Sequence, residues 1–127
     1  MDLPVILVVE DDPLLQGLVE EALKEGGFET AIVGSGEEAM TLLKGRNGQY
    51  RALATDINLR GKMGGWEVAQ HAREIEPDFP VVYMSGESAA DWTSKGVPNS
   101  IILEKPFAPA QLVTAISNLL DSGTPTT

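Results

Sequence analysis

Short apolar runs alternate with amphipathic stretches along most of this chain. Five runs are rich in aliphatic and β-branched residues and are short enough to be buried strands. In the stretches that follow them, apolar residues recur every three or four positions, which is typical of a helix with one buried face. The runs predicted to form strands are Val5–Val9, Phe28–Val33, Arg51–Asp56, Pro80–Met84 and Ser100–Leu103.

Local signals place the helix ends between these runs. Asp12 suits a helix N-cap with Pro13 in the first turn, and Ser35 with Glu38 three residues later resembles a capping box. The helix signal is weak only at Ala89–Lys95, where we expect a short helix. Strand and helix thus alternate five times. This alternation implies parallel βαβ units with right-handed crossovers and helices on both faces of one sheet.

Length and composition predict one small domain. The 127 residues suit a single core, so we expect a domain over residues 1–121, a flexible tail over residues 122–127, and no output domain. A net charge of −10 argues against nucleic acid or an anionic membrane as partner. The chain has no cysteine, no apolar run of membrane-spanning length and no signal-peptide pattern, so we expect a soluble cytoplasmic protein.

Charged and polar residues follow four of the five predicted strands. The carboxyl ends of parallel strands lie at one edge of a sheet, so these residues should converge although they are distant in sequence. Clustered carboxylates repel one another, and a cation is therefore expected. Oxygen ligands without His or Cys, with positions left for phosphate and water, suit Mg2+ better than Ca2+. The converging residues are Glu10, Asp11, Asp56, Ser85 and Lys105.

Asp56 is the residue of this set that we expect to react. Mg2+ and Lys105 would neutralise the oxygens of an incoming phosphoryl group, and the Ser85 hydroxyl would hydrogen-bond one of them. The product would be an aspartyl phosphate. Each residue also has a structural interpretation, because Asp56 could cap a turn, Ser85 could cap the next helix and Lys105 could merely precede a turn proline. Their joint position at strand ends favours the functional interpretation.

These residues resemble the response regulator receiver domains of two-component systems, over about Val5 to Leu120. The resemblance involves an acidic pair, a phosphoacceptor aspartate, a Ser/Thr switch residue and a Lys-Pro motif whose peptide bond is usually cis. The residues that match, in that order, are Glu10 and Asp11, Asp56, Ser85, and Lys105 with Pro106. The resemblance implies a flavodoxin-like, doubly wound (βα)5 fold with a parallel five-stranded sheet in the order 2-1-3-4-5.

The same resemblance implies a function and its partners. Asp56 would be phosphorylated in a Mg2+-dependent reaction by a sensor histidine kinase or a histidine phosphotransfer protein, and this would alter binding to an unknown downstream protein. The backbone carbonyl of Asn58 would be a metal ligand. Gly86 would keep the pocket mouth open to a phosphodonor. No enzyme activity is expected beyond the chain's own phosphorylation and dephosphorylation, and a monomer or weak homodimer is expected.

The chain also departs from the family pattern. Arg60 replaces the usual Pro in the loop after the phosphoacceptor, Gly64 replaces the usual Asp, and the loop is one residue longer than in chemotaxis-type receivers. Ile102 replaces the Tyr or Phe that turns inward on phosphorylation in many members. We therefore predict a smaller or altered rearrangement at the face formed by the fourth and fifth helices.

Two variable pocket positions bear on how long the phosphoform survives. In this family they tune the attack of water on the aspartyl phosphate, and here they are Asn58 and Glu87. Polar or acidic groups at these positions can orient a water molecule. The resemblance therefore implies a short-lived phosphoform.

Three other functions fit part of this pattern. A pseudo-receiver that binds partners without phosphorylation is favoured only by Ile102. A phosphatase resembling the haloacid dehalogenases would need a second Asp where this chain has Asn58. A flavin or nucleotide carrier of the same fold would need a phosphate loop, and Gly34-Ser-Gly36 lacks both its spacing and its Lys.

Overall fold

The computed structural model describes residues 3–45, 49–87 and 89–122. Within these ranges strands and helices alternate in the predicted order. The strands are β1 (Val5–Val9), β2 (Glu29–Val33), β3 (Tyr50–Asp56), β4 (Val81–Ser85) and β5 (Ile101–Glu104). The helices are α1 (Pro13–Glu25), α2 (Gly36–Gly45), α3 (Gly65–Ile75), α4 (Trp92–Lys95) and α5 (Pro109–Ser122).

The five strands form one parallel sheet in the order β2-β1-β3-β4-β5. This confirms the predicted doubly wound, flavodoxin-like fold. Strand β3 lies at the centre, and all of its residues except Arg51 are buried. Val9 is level with Thr55 in the pairing of β1 with β3, and Asp56 is level with Met84 in the pairing of β3 with β4. The carboxyl ends of the three strands therefore lie side by side at one edge.

Each face of the sheet is covered by an apolar layer. Successive side chains of a strand point to opposite faces, so Leu7 and Leu53 contribute to one layer and Ile6 and Ala54 to the other. Buried residues of α2 and α3 complete the first layer, and those of α1 and α5 complete the second. The helices thus hold the sheet from both sides and leave its carboxyl edge open for polar residues.

The predicted helix starts are confirmed. Asp12 is the N-cap of α1, and its carboxylate accepts a hydrogen bond from the Leu14 backbone N–H at 3.0 Å. Before α2, the Ser35 hydroxyl oxygen accepts the Glu38 backbone N–H at 3.2 Å, and the Glu38 carboxylate accepts the Gly34 N–H at 3.2 Å. The bonds to the Leu14 and Glu38 N–H groups satisfy backbone donors that the first helical turn leaves unpaired.

Helix α4 is a single turn preceded by a 3-10 turn at Ala89–Asp91, in agreement with the weak sequence signal. The Trp92 indole N–H donates to the Ser100 hydroxyl oxygen at 2.9 Å, and that hydroxyl donates to the Val97 carbonyl at 2.6 Å. The Tyr83 phenolic oxygen accepts the Val97 backbone N–H at 3.0 Å. Side chains rather than a long helix therefore hold the segment between α4 and β5.

The chain's end differs slightly from expectation. Helix α5 continues through Ser122, where the tail was predicted to begin, and residues 123–127 of that predicted tail lie outside the described residues. None of the helices in the described ranges is both long enough and apolar enough to cross a membrane.

Candidate functional site

Three of the predicted site residues form one carboxylate cluster at the carboxyl edge of the sheet. Glu10, Asp11 and Asp56 each offer an oxygen that lies within 4.8 Å of the other two. Glu10 directly follows β1 and is fully buried, Asp56 ends β3 and is 5% exposed, and Asp11 is partly open to solvent. Two neighbouring strands therefore deliver the acids to one point, as the sequence predicted.

The Lys105 side chain reaches this cluster from the end of β5. Its ammonium nitrogen lies 3.1 Å from Asp56 Oδ2 and 3.1 Å from Glu10 Oε1. The sequence predicted that Lys105 would lie beside these acids, but not that its ammonium would contact Glu10. The Lys105 backbone N–H donates to the Ser85 carbonyl at 2.7 Å, which places the residue beside β4, and the Lys105–Pro106 peptide bond is cis. One ammonium thus bridges two buried carboxylates.

The cluster carries more negative charge than Lys105 can balance. Burial raises the pKa of Glu10, against the opposing effects of the Asp12 N–H and Lys105. Burial likewise raises the pKa of Asp56, although Lys105 and the Asn58 N–H oppose the shift. Burial alone would lower the pKa of Lys105, but Asp56 and Glu10 outweigh it and raise that pKa. Burial is thus the main cause of the two acid shifts, and the two carboxylates that Lys105 contacts cause the shift of its own pKa.

Backbone contacts orient the two buried acids. The Glu10 carboxylate accepts the Asp12 N–H at 3.0 Å, and Asp56 Oδ1 accepts the Asn58 N–H at 3.3 Å. The Gln16 side-chain amide donates to the Glu10 backbone carbonyl from the second turn of α1. No role for Gln16 was predicted from the sequence. Its spacing from Glu10 carries no signal, because only the turn into α1 brings the two groups together.

The remaining predicted residues lie at the same edge of the sheet. Ser85 is buried at the end of β4, and the Ile57 N–H donates to the Met84 carbonyl at 3.1 Å, so the end of β4 lies against the strand end that carries Asp56. Asn58 and Glu87 are exposed on the loops after β3 and β4. The structure thus gathers the predicted polar residues, with Ser85 beside the acids and the two variable residues at the rim.

Ile102 lies away from this edge, within β5. It is level with Tyr83 in the pairing of β4 with β5, and it packs against the apolar layer that α2 and α3 cover. The position at which many receivers carry the switch aromatic is therefore partly buried and aliphatic. The large aromatic side chain at this level of the sheet is Tyr83, for which the sequence predicted only a place in a strand.

The loop from Asn58 to Gly64 is held from two directions. A guanidinium nitrogen of Arg60 lies 3.6 Å from Asp11 Oδ2, and a carboxylate oxygen of Glu37 accepts the Lys62 backbone N–H at 3.1 Å. Gly61 between them adopts a φ of 98°, a conformation that favours glycine. Glu37 was not predicted to have a role, because nothing in the sequence relates the first turn of α2 to this loop.

Gly65, the first residue of α3, packs directly on the end of β3. Its N–H donates to the Ile57 carbonyl at 2.9 Å. A Cβ atom at this position would lie 2.2 Å from the Asp56 carbonyl oxygen and 2.8 Å from Ile57 Cα. Both neighbours are backbone atoms that cannot rotate away, so only glycine fits here.

The donor set of the cluster suits a hard divalent cation. Its groups are carboxylate oxygens, their spacing allows one ion to contact all three, and Lys105 leaves part of their charge uncompensated. Such sites, with few protein ligands and positions left for water or phosphate, are typical of Mg2+. Glu10, Asp11 and Asp56 therefore fit the metal that the sequence implied.

Comparison with known proteins gives the same family by sequence and by fold. The family model for the response regulator receiver domain matches residues 6–117. The receiver protein CpdR of Brucella abortus is 30% identical over 117 residues, which cover 91% of this chain and 95% of that protein. The two-component response regulator ARR11 of Arabidopsis thaliana is 34% identical over 92 residues, and this chain covers 17% of its length.

A solved structure agrees closely with the fold. The crystal structure of a response regulator receiver protein from Sinorhizobium medicae superposes with a TM-score of 0.91 at 44% sequence identity. The match covers 94% of this chain and 96% of that protein. The two proteins therefore share the fold over nearly their whole length.

Proposed function

Because this chain belongs to the response regulator receiver domain family of two-component systems, we propose that Asp56 accepts a phosphoryl group from a histidine kinase or a histidine phosphotransfer protein. The observation that carries the proposal is the Lys105 ammonium, held 3.1 Å from the Asp56 carboxylate inside a cluster of acids. An Asp that only capped a turn would not need a partly buried cation from the end of another strand.

In the proposed reaction a carboxylate oxygen of Asp56 forms a bond to phosphorus. The bond from phosphorus to the imidazole nitrogen of the donor histidine breaks, and that nitrogen keeps the electron pair and later takes a proton. Lys105 offsets the negative charge on the phosphoryl oxygens, and the Ser85 hydroxyl donates a hydrogen bond to one of them. The positioning of the reacting groups and the compensation of their charge accelerate this transfer.

The residues proposed to hold Mg2+ are Glu10, Asp11 and Asp56, with the backbone carbonyl of Asn58. When bound, the ion would screen the incoming phosphoryl oxygens from the carboxylates. Glu10 stays oriented by the Asp12 N–H, and Asp56 by the Asn58 N–H, so the acids need little rearrangement to bind it.

The phosphorylated chain is proposed to act by changing its affinity for a downstream protein. No catalysis is proposed beyond its own phosphorylation and dephosphorylation. A net charge of −10 favours partner proteins with basic faces over nucleic acid or anionic membranes. Two-component phosphotransfer of this kind would take place in the cytoplasm.

The test is phosphorylation by a small phosphodonor. Wild-type protein is incubated with Mg2+ and acetyl phosphate, and the intact mass is followed for one added phosphoryl group. Asp56→Ala should stay unlabelled, whereas Asp91→Ala, which removes an exposed Asp paired with Lys95, should label like wild type. Chelation of the metal with EDTA should abolish labelling.

Each alternative gives a different result. Equal labelling of wild type and Asp56→Ala would refute Asp56 as the acceptor. A folded wild type that never gains the label, with acetyl phosphate or with phosphorylated kinase, would favour a phosphorylation-independent interaction module. Sustained release of phosphate from many phosphomonoesters would favour the phosphatase.

A further inference from the structure

The three acids of the site do not share the same cation. Lys105 contacts Glu10 and Asp56, and its ion pairs do not include Asp11. Asp11 instead faces Arg60, with 3.6 Å between a guanidinium nitrogen and Oδ2. The Asp11 side chain is 21% exposed and the Arg60 side chain is 90% exposed. The cluster thus has one partly buried cation, Lys105, and one, Arg60, that lies almost entirely in solvent.

Arg60 lies on a loop that a hydrogen bond attaches to helix α2. The Glu37 carboxylate accepts the Lys62 N–H at 3.1 Å from the first turn of α2. A Cβ atom on Gly61 would lie 3.1 Å from the same carboxylate, so loop and helix are in close contact at this point. The position of Arg60 therefore follows from the loop's attachment and not only from the reach of a long side chain.

We propose that Arg60 is a displaceable counter-ion of Asp11 that lowers the affinity of the site for Mg2+. The inference rests on the proposed function, because it takes the three acids as the metal ligands. An Asp11 oxygen that faces a guanidinium is a weaker ligand, and the guanidinium repels an arriving divalent ion. Because Arg60 is exposed, it can turn into solvent at small cost when the metal enters.

Calorimetric titration of the metal-free protein with MgCl2 tests this proposal directly. Exposed ion pairs have small interaction energies, so Arg60→Ala should tighten Mg2+ binding by about two- to fivefold at low salt. The gain should shrink as ionic strength rises, because salt screens the repulsion. The matched control is Lys62→Ala, which removes the same charge from the same loop but none of the ion pairs seen in the described residues. Its dissociation constant should stay close to that of wild type.

A second pair of variants tests the role of the loop's attachment. Glu37→Ala releases the Lys62 N–H, whereas Glu37→Gln retains an oxygen acceptor for it. Arg60→Ala should have a smaller effect on Mg2+ affinity in the Glu37→Ala background and its full effect in the Glu37→Gln background.

The outcomes separate this proposal from the proposed function. If wild type binds Mg2+ and Arg60→Ala binds it equally or more weakly, or if Lys62→Ala gives the same gain, Arg60 is not a counter-ion of the site. If neither wild type nor Arg60→Ala binds Mg2+ while both stay folded, the three acids are not the metal ligands and the proposed function loses its basis.

Discussion

The Tyr83 phenolic oxygen accepts a hydrogen bond from the Val97 backbone N–H, with 3.0 Å between the two atoms. Tyr83 is fully buried in β4, two residues before Ser85, and burial raises the pKa of its hydroxyl. Its ring also packs on Trp66, with 4.7 Å between the ring centroids. One side chain therefore links the strand that carries Ser85 to the segment that enters β5.

Tyr83→Phe should destabilise the fold by about 1–3 kcal/mol, because it leaves the buried Val97 N–H without its acceptor while keeping the aromatic ring. Urea unfolding followed by circular dichroism measures the change. Tyr50→Phe is the matched control, since Tyr50 is also buried but no hydrogen bond of its hydroxyl is seen in the described residues, and a change within about 0.5 kcal/mol is expected. Equal losses in the two variants would show that the Tyr83 hydrogen bond is not important for stability.

Addition of beryllofluoride with Mg2+, as a phosphate mimic, should shift the backbone resonances of the loops after β3 and β4 more than those of residues 97–100. The latter segment is held at successive backbone groups, since Tyr83 accepts the Val97 N–H and Arg73 donates to the Pro98 carbonyl. With Ile102 in β5, no aromatic ring is available there to swing inward. Chemical-shift mapping by NMR measures the response.

Ile102→Tyr provides the comparison for this prediction. A tyrosine at this position should enlarge the response of the α4 and α5 face, provided that the variant unfolds in the same cooperative manner as wild type. Large shifts throughout residues 97–100 in the wild type, matching those of Ile102→Tyr, would contradict a reduced rearrangement.

Metal-free Asp56→Asn should be more stable than wild type at neutral pH, and the difference should shrink as the pH falls toward the usual titration range of an Asp side chain. Burial raises the pKa of Asp56 in the folded state, so the folded protein binds this proton more tightly than the unfolded chain does. The ionised group therefore lowers the free energy of unfolding as pH rises above the unfolded pKa, and acid removes the penalty. Urea unfolding of both proteins in EDTA, at several pH values across this range, measures the difference in their free energies of unfolding.

The titration of Lys105, which pairs with Asp56, does not alter stability in this acidic to neutral pH range. The pKa of Lys105 is raised, so its contribution to stability is present below its unfolded value and is lost only at alkaline pH. Saturating Mg2+ should reduce the difference between wild type and Asp56→Asn. A difference that grows toward acid pH would mean that Lys105 over-compensates the burial of Asp56.

Simultaneous replacement of Asn58 by Leu and Glu87 by Arg should lengthen the life of the phosphoform by about tenfold, because a group that orients the attacking water is lost. Both side chains are exposed, so the fold should tolerate the change. Loss of the phosphoryl mass with time after removal of acetyl phosphate measures the lifetime. The control is Glu29→Arg, the same charge change at the amino end of β2. An unchanged lifetime in the double variant would refute the role given to these two positions.

The sequence alone was sufficient to predict the fold and the polar residues that lie at the strand ends. Apolar runs of strand length, each followed by a helical pattern, define a parallel sheet, and a parallel sheet must bring Glu10 and Asp56 to the same edge. The caps at Asp12 and Ser35 were also predictable, because capping depends on residues within one turn of each other.

The contacts that were missed depend on how separate elements meet. Glu37 reaches the Lys62 N–H across 25 positions, and Lys105 reaches Glu10 across 95. No local pattern encodes such distances, since they depend on helix packing angles and on side-chain conformations. Arg60 was recognised only as a departure from the family pattern, and its partner Asp11 became apparent only in three dimensions.

Substitutions at Gly65 should disrupt the fold, whereas substitutions at Asp56 should remove the phosphorylation site and leave the fold intact. Its α-carbon sits so close to the peptide of Asp56 that any larger residue would push the first turn of α3 off the sheet. In a saturation library, variants at 65 should be lost as insoluble or degraded chains, whatever their phosphodonor. Variants at 56 should instead survive as intact molecules that no longer respond to the signal.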